Sequence, residues 1–192
     1  MNIPLHHTLY NSEAALIQGC KEGNAVAQKT LYNRYAERLM ILCLRYAGNK
    51  EDAKDMLMQA LVECFKGIKN FEYRGEGSLK AWLKKVTVNQ CLMQLRKQRE
   101  LLYELDERME EEVPEEQDNC ALTQLTVKEI MQWIHELPPG YRTVFNLYVF
   151  EDLGHKEIAR MLGISESTSK SQLHKARALL QNKIAGSQRI AL

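Results

Sequence analysis

The chain has 192 residues, 45% of them hydrophobic and 27% charged, with only 10 Gly and 4 Pro. Those figures exclude wholesale disorder and collagen-like repeats, and turn residues are too scarce for a β-sandwich or barrel. The net charge of +1 conceals strong segregation: residues 66–99 hold 9 basic and 2 acidic side chains, residues 100–120 hold 1 and 10, and residues 155–192 hold 7 and 2.

In chain order, Asn24 is placed to cap a helix whose apolar positions are Leu31, Tyr35, Leu39, Leu42 and Tyr46. Asn49 caps the next, with Glu51 and Asp52 in its first turn. Its apolar stripe runs Ala53, Met56/Leu57, Ala60/Leu61, Cys64/Phe65 and Ile68, and its opposite face carries Asp52, Asp55, Gln59 and Glu63. A loop, Asn70 to Gly77, precedes a Ser78-capped helix running to about Arg99, so residues 12–99 are expected to form one helical domain. Residues 100–121 cluster acids around Pro114 with too few apolar positions for a core face. They are expected to be an acidic linker, partly extended, with any helix confined to the first half. A second helical domain, 122–186, follows: a helix over about 122–136, a break at Pro138-Pro139-Gly140, a stripe of Tyr141, Val144/Phe145 and Tyr148, then helices at 155–162 and 166–185. The fold class is all-α, two small domains on one tether. No run nears ~18 apolar residues, so no membrane insertion is expected, and MNIPLHHTLY lacks the pattern of a secretory signal. Cys20, Cys43, Cys64, Cys91 and Cys120 form no C-x-x-C pair and read as reduced core fillers, with neither disulfide nor metal site.

The sharpest chemistry lies in HKEIARMLGISESTSKSQLHKAR. Ala159 is small where two helices must cross, and Gly163 permits the positive φ of a tight turn. Ile158, Leu162 and Ile164 point inward. This is the pattern of a helix-turn-helix, whose second helix enters the DNA major groove. At about 100° per residue, Ser167, Lys170, Ser171, His174, Ala178 and Gln181 share one face. Ser169, Leu173, Ala176, Leu180 and Ile184 share the other. A short, basic, polar face suits a groove reader.

In SLKAWLKKVTVNQCLMQLRKQR, Trp82, Val86, Asn89 and Met93 make one stripe, and Val88, Cys91/Leu92 and Leu95 another. Two apolar-leaning faces are more than a core requires, so one is free for a base or a partner. Lys84, Lys85, Arg96, Lys97 and Arg99 could neutralise phosphates, and Phe71 and Tyr73 could stack on unpaired bases. Read alone, the same residues also fit a core tryptophan with solvated lysines.

The stretch DAKDMLMQALVECFKGIKNFEYRGEGSLKAWLKKVTVNQCLMQLRK, followed by LPPGYRTVFNLYVFEDLGHKEIARMLGISESTSKSQLHKARALL, resembles the extracytoplasmic-function (ECF) sigma factors of the bacterial sigma-70 family. The resemblance runs from about residue 20 to 185, with both domains in order. It implies that 12–99 is sigma region 2 and 122–186 region 4. Asp52, Asp55, Leu57 and Gln59 would then dock on the polymerase β′ clamp helices, with region 4 at the β flap. The −10 element would meet Phe71, Tyr73, Trp82, Lys85, Val86 and Asn89. Ser167, Thr168, Lys170, Ser171, His174 and Lys175 would meet the −35 element. The resemblance further implies an anti-sigma factor as partner and a cytoplasmic site of action. Two positions depart from the family's pattern: Met58-Gln59 replaces a Gln-Glu pair, and Ser169 stands where valine is frequent.

No P-loop, H-E-x-x-H or nucleophile elbow occurs, and His6, His7, His135, His155 and His174 have no ligand spacing. No catalytic role, cofactor, metal or small-molecule substrate is therefore expected. Two other functions compete: a stand-alone helix-turn-helix regulator, which leaves residues 12–99 without purpose, and a sigma-like decoy that binds a regulator protein, which has no use for Lys170, Lys175 and Arg177.

Overall fold

The computed structural model describes residues 10–103 and 126–189, and every regular element among them is helical. They divide into two compact units, split after Arg99.

The first unit contains α1 (Glu13–Lys21), α2 (Ala25–Tyr46), α3 (Lys50–Gly67), a 3-10 turn (Ile68–Asn70) and α4 (Ser78–Tyr103). Its caps follow local chemistry. Asn24 Oδ1 accepts from the Val26 and Ala27 amides. Asn49 Oδ1 accepts from the Asp52 amide at 2.8 Å while Asn49 Nδ2 donates to the Asp52 carboxylate at 3.0 Å. Leu16, Leu31, Tyr46, Met56, Leu79 and Leu83 form the fully buried centre. Helix α1 has no counterpart in the sequence reading. Its stripe of Leu16, Ile17 and Cys20 spans barely two turns, too short to show a period, and it is stabilised by packing on α2. Gly19 makes that approach close: a Cβ there would stand 2.7 Å from the Ala27 Cβ. Helix α4 passes the expected end at Arg99 and reaches Tyr103. The rest of the acidic segment, with Cys120, lies outside the described residues.

Cys20, Cys43, Cys64 and Cys91 are reduced and buried. Burial pushes the thiols of Cys20 and Cys64 up to about 11 and about 12. Cys91 is raised by its hydrogen bond to Cys43, 4.0 Å away, and by burial. As neutral thiols they pack as small hydrophobes. No described helix is long and apolar enough to cross a membrane.

The second unit contains α5 (Val127–His135), α6 (Pro139–Val149), α7 (His155–Leu162) and α8 (Glu166–Arg189). Thr126 and Glu129 close a reciprocal capping box at the start of α5, and hydrogen bonds from Thr126 hold the Glu129 carboxyl below its usual range. The expected start near 122 lies outside the described residues. Pro139 occupies the first turn of α6, where its missing N–H costs nothing. Ile134, Val144, Leu147, Ile158 and Ala176 build the core. Arg142 is buried among them: it donates to the His135 carbonyl, and desolvation lowers its pKa.

Gly163 ends α7 at φ 67°, and its amide bonds back to the Ala159 carbonyl. A β-branched residue is strained in that left-handed region, whereas Asn tolerates it. Gly163→Val is expected to destabilise the second unit by about 1–2 kcal/mol, and Gly163→Asn by less. Urea unfolding followed by far-UV circular dichroism measures both; equal midpoints for the two variants would count against a left-handed turn.

Candidate nucleic-acid interface

The end of α3, the 3-10 turn and the start of α4 enclose an open cleft of about 390 Å³. Phe71, Trp82, Val86 and Asn89 line it, with Glu63, Gly67, Asn70 and Gln90 at their sides. Phe71 is buried, and its ring lies 5.0 Å from that of Trp82 at a 43° tilt. It thus presents an edge of the cleft wall, where the sequence reading had a free stacking platform. Tyr73 is exposed, with its hydroxyl 3.4 Å from the Glu76 carboxylate. Gly67 lets Trp82 in: a Cβ would stand 3.1 Å from the indole Cζ2. Of the two stripes on α4, Val88, Cys91 and Leu92 are core, while Trp82 and Val86 are half-buried and Asn89 and Lys85 exposed. Glu63 and Gln90 were not singled out for this site. Gln90 was findable as Asn89's neighbour on the 82–86–89 stripe, but Glu63 comes from another helix and carried no signal.

On α3, Asp55 and Gln59 are exposed and Asp52 half-buried in its cap. Leu57 is buried, at 7% exposure, so its side chain belongs to the core. The exposed apolar side chains on that helix are Met58 and Val62, at 56% and 42%. They join Asp55 and Gln59 at helical spacing, giving an acidic face with an apolar middle.

On α8, Ser167, Thr168, Lys170, Ser171 and His174 are exposed together. Ser165 Oγ accepts from the Thr168 amide at 3.0 Å and lies 2.8 Å and 2.7 Å from the Ser167 and Thr168 hydroxyls. Lys170 pairs with Glu166 at 2.8 Å, which holds the Glu166 carboxyl below its usual range. Lys175 is half-buried, with its ammonium 5.8 Å from the Tyr141 ring centroid. Ala178, placed on the polar face by angle alone, is buried at 2% exposure. Helices α5 and α6 both pack on α8.

Ser169 is fully buried, and its hydroxyl lies 2.9 Å from His155 Nδ1 at the start of α7. The His155 ring stacks on Tyr148 at 4.9 Å, and the Arg177 guanidinium lies 5.4 Å from the same Tyr148 ring. A valine would fill this site but leave His155 without that bond. The seat of α8 on α7 is therefore partly polar.

The chain folds as two helical units, one with an open aromatic cleft and the other with a helix-turn-helix, an architecture used to bind DNA. Sequence comparison assigns residues 31–100 to Sigma-70 region 2 and residues 127–180 to Sigma-70, region 4. The chain belongs to the sigma-70 family, in its ECF group. It is 25% identical to the ECF RNA polymerase sigma-E factor of Haemophilus influenzae over 90% of this chain and 95% of that one. It is 26% identical to the ECF sigma factor SigW of Bacillus subtilis, over 88% and 94%. The ECF sigma factor SigE of Mycolicibacterium smegmatis is 26% identical over 81% of this chain, which spans 60% of that longer protein. Among solved structures, the sigma factor RpoE of Bartonella quintana has the same fold, with a TM-score of 0.50, 20% identity, and coverage of 82% and 96%.

The Ser169–His155 contact is open to direct measurement. A double-mutant cycle with Ser169→Ala and His155→Ala should give a coupling of about 0.5–1.5 kcal/mol in unfolding free energy. Additive single losses would mean that the two side chains do not hold α7 and α8 together.

Proposed function

We propose that this chain is a dissociable promoter-specificity subunit of bacterial RNA polymerase. It docks on core polymerase, reads the −35 element with α8 and captures an unstacked −10 base at the α3–α4 cleft. The observation that carries this reading is the presence of both devices in one chain, an open aromatic cleft with room for a base and a helix-turn-helix with a short basic face. Opening duplex DNA costs a few kcal/mol per unstacked base. A pocket walled by Phe71, Trp82 and Val86 and edged by the Asn89 amide offsets that cost with stacking and hydrogen bonds. The protein's part is binding and strand capture in the cell interior, and nucleotide addition belongs to the polymerase.

Asp55, Gln59, Met58 and Val62 form the surface that meets core polymerase in this reading, and Leu57 supports it from beneath. An anti-sigma factor that covers the same surfaces completes the proposal. The sigma factor RpoE of Bartonella quintana was crystallised with an anti-sigma factor, NepR.

The test is run-off transcription by core polymerase of the same organism on a library of duplex promoters randomised across the −35 and −10 elements. Enrichment of two spaced elements supports the proposal. DNA binding that does not depend on core polymerase would point to a stand-alone regulator. Asp55→Arg should lower affinity for core polymerase roughly tenfold, as expected for reversing a charge at an interface, without loss of helicity. Unchanged capture by core polymerase would remove α3 from the interface.

Lys170 and Lys175 should separate in the same library. Lys170 is exposed near the centre of the polar face, and its loss should relax preference at one or two −35 positions, each worth about 1–3 kcal/mol. Lys175 sits to one side against Tyr141, so Lys175→Ala should weaken all promoters alike and reduce the salt slope by about one. Identical sequence profiles for the two variants would mean that α8 meets DNA with a different face.

A further inference from the structure

The loop between the 3-10 turn and α4 is tied together mostly by its own residues. The Phe71 amide bonds to the Ile68 carbonyl, the Ser78 amide to the Gly75 carbonyl, and the Arg74 amide to the Ser78 hydroxyl. One bond is different. The Gly77 amide donates at 2.8 Å to a carboxylate oxygen of Glu13, 64 residues earlier in the chain. Glu13 is the first residue of α1 and is only 4% exposed, a rare burial for a carboxylate. Its other oxygen faces the buried Tyr35 hydroxyl at 3.5 Å. Gly77 holds φ 88°, and Gly75 two residues before it holds φ 108°. Two glycines at positive φ thus shape the loop, and the Glu13 bond ties it to another element. Helix α1 also packs on the 3-10 turn at the loop's other end.

We propose that Glu13 is a positioning residue for promoter reading: by accepting the Gly77 amide it fixes loop 71–77, and the start of α4 behind it, at the register that the −10 strand needs. The inference rests on the reading of the cleft given under Proposed function. A buried carboxylate held by one backbone donor and one long contact from the Tyr35 hydroxyl is costly, and a hydrophobe of equal size would fill the same space. Position in the first turn of α1 lowers that cost, because the helix N-terminus favours negative charge. What the carboxylate adds is direction, since an acceptor holds the Gly77 N–H at one point and an apolar side chain does not. Glu13 touches neither cleft nor surface, so its effect on DNA runs wholly through the loop.

The test compares Glu13→Leu, which keeps bulk and helix propensity, with Glu13→Gln, which keeps an acceptor. Each variant holoenzyme transcribes the promoter library, and the readout is discrimination among bases at −10 divided by discrimination at −35. That ratio does not change with the folded fraction, so a purely structural defect leaves it where it was. Preferred over wrong bases at −10 should differ by about 5- to 150-fold for the unaltered chain. Glu13→Leu should bring the −10 preference to within about threefold of none, with the −35 preference intact, and Glu13→Gln should restore most of it. An unaltered ratio in Glu13→Leu overturns the inference. If Asn89→Ala also leaves −10 discrimination untouched, the cleft itself is not the −10 site, and both readings fall. If Asn89→Ala collapses it and Glu13→Leu does not, only the role of Glu13 falls. Amide exchange in the unaltered holoenzyme gives a second measure, independent of any variant's folding: the Gly77 amide should be protected. Exchange as fast as in an open loop overturns the proposal.

Discussion

The packing of Trp82 against the last turn of α3 is the contact on which the first unit's binding surfaces depend. An indole reaches that turn because Gly67 has no Cβ, and Phe71 closes on it from the loop. With those three residues in place, the axis and rotation of α4 are set relative to α3. One face of α4, through Leu79, Leu83, Val88 and Cys91, is fully committed to the core. The remaining face has no choice but to show Val86 and Asn89 beside the Trp82 ring. The cleft is the space left between two helices, and the missing methyl at Gly67 lets the Trp82 ring approach α3. Of its apolar walls Phe71 is core and Trp82 and Val86 are half-buried, while Asn70 and Asn89 stand exposed at its polar edge.

The second unit solves a different problem, since a reading helix must be held firmly on one side and left bare on the other. Leu173 and Ala176 supply the firm side, and Ser169 adds a directional bond to His155. The stack of His155 on Tyr148, with Arg177 against the same ring, joins α6, α7 and α8 in one polar-aromatic cluster. Farther along α8 the requirement changes. There α5 and α6 pack on the helix, and in its fourth turn Ala178 is buried although it shares an angle with Ser167 and Ser171. Only the first part of α8 is a surface helix.

Periodicity carried most of the architecture. Asn24, Asn49, Pro139 and Gly163 mark ends that local backbone chemistry dictates, and these ends stand where the sequence places them. Helix α1 was not legible, because two turns with three apolar positions do not separate from loop. Leu57 illustrates the limit at the site. Its spacing puts it in the apolar stripe and the resemblance puts it at an interface; the structure buries it and exposes Met58 and Val62 beside it. Phe71 is a similar case, since an aromatic in a loop reads as available until its partner, Trp82, is seen. Glu13 left no trace, because a carboxylate at a helix start has an ordinary local reason to be there. Its second partner comes from tertiary contact across 64 residues. Local signals survive in the sequence, and side chains whose meaning depends on a distant donor do not.

Charge at the two reading surfaces is more restrained than the basic blocks of the sequence suggest. Lys170, central on the face of α8, is already paired with Glu166, and Lys66 on α3 is paired with Glu63 beside the cleft. Exposed pairs of this kind add little to stability, so opening them for DNA costs little. On α8 the Glu166 carboxyl is held below its usual range by Lys170 itself. If α8 meets DNA as proposed, Glu166 repels phosphate from the position where Lys170 would attract it. Attraction to DNA of any sequence is reduced, while a base edge that accepts from Lys170 or donates to Glu166 keeps its full contribution. Selectivity at such a surface rises because the non-specific part of binding is partly cancelled within the protein. Under the proposed reading of α8, the acid beside Lys170 would act on specificity by subtracting what every sequence shares.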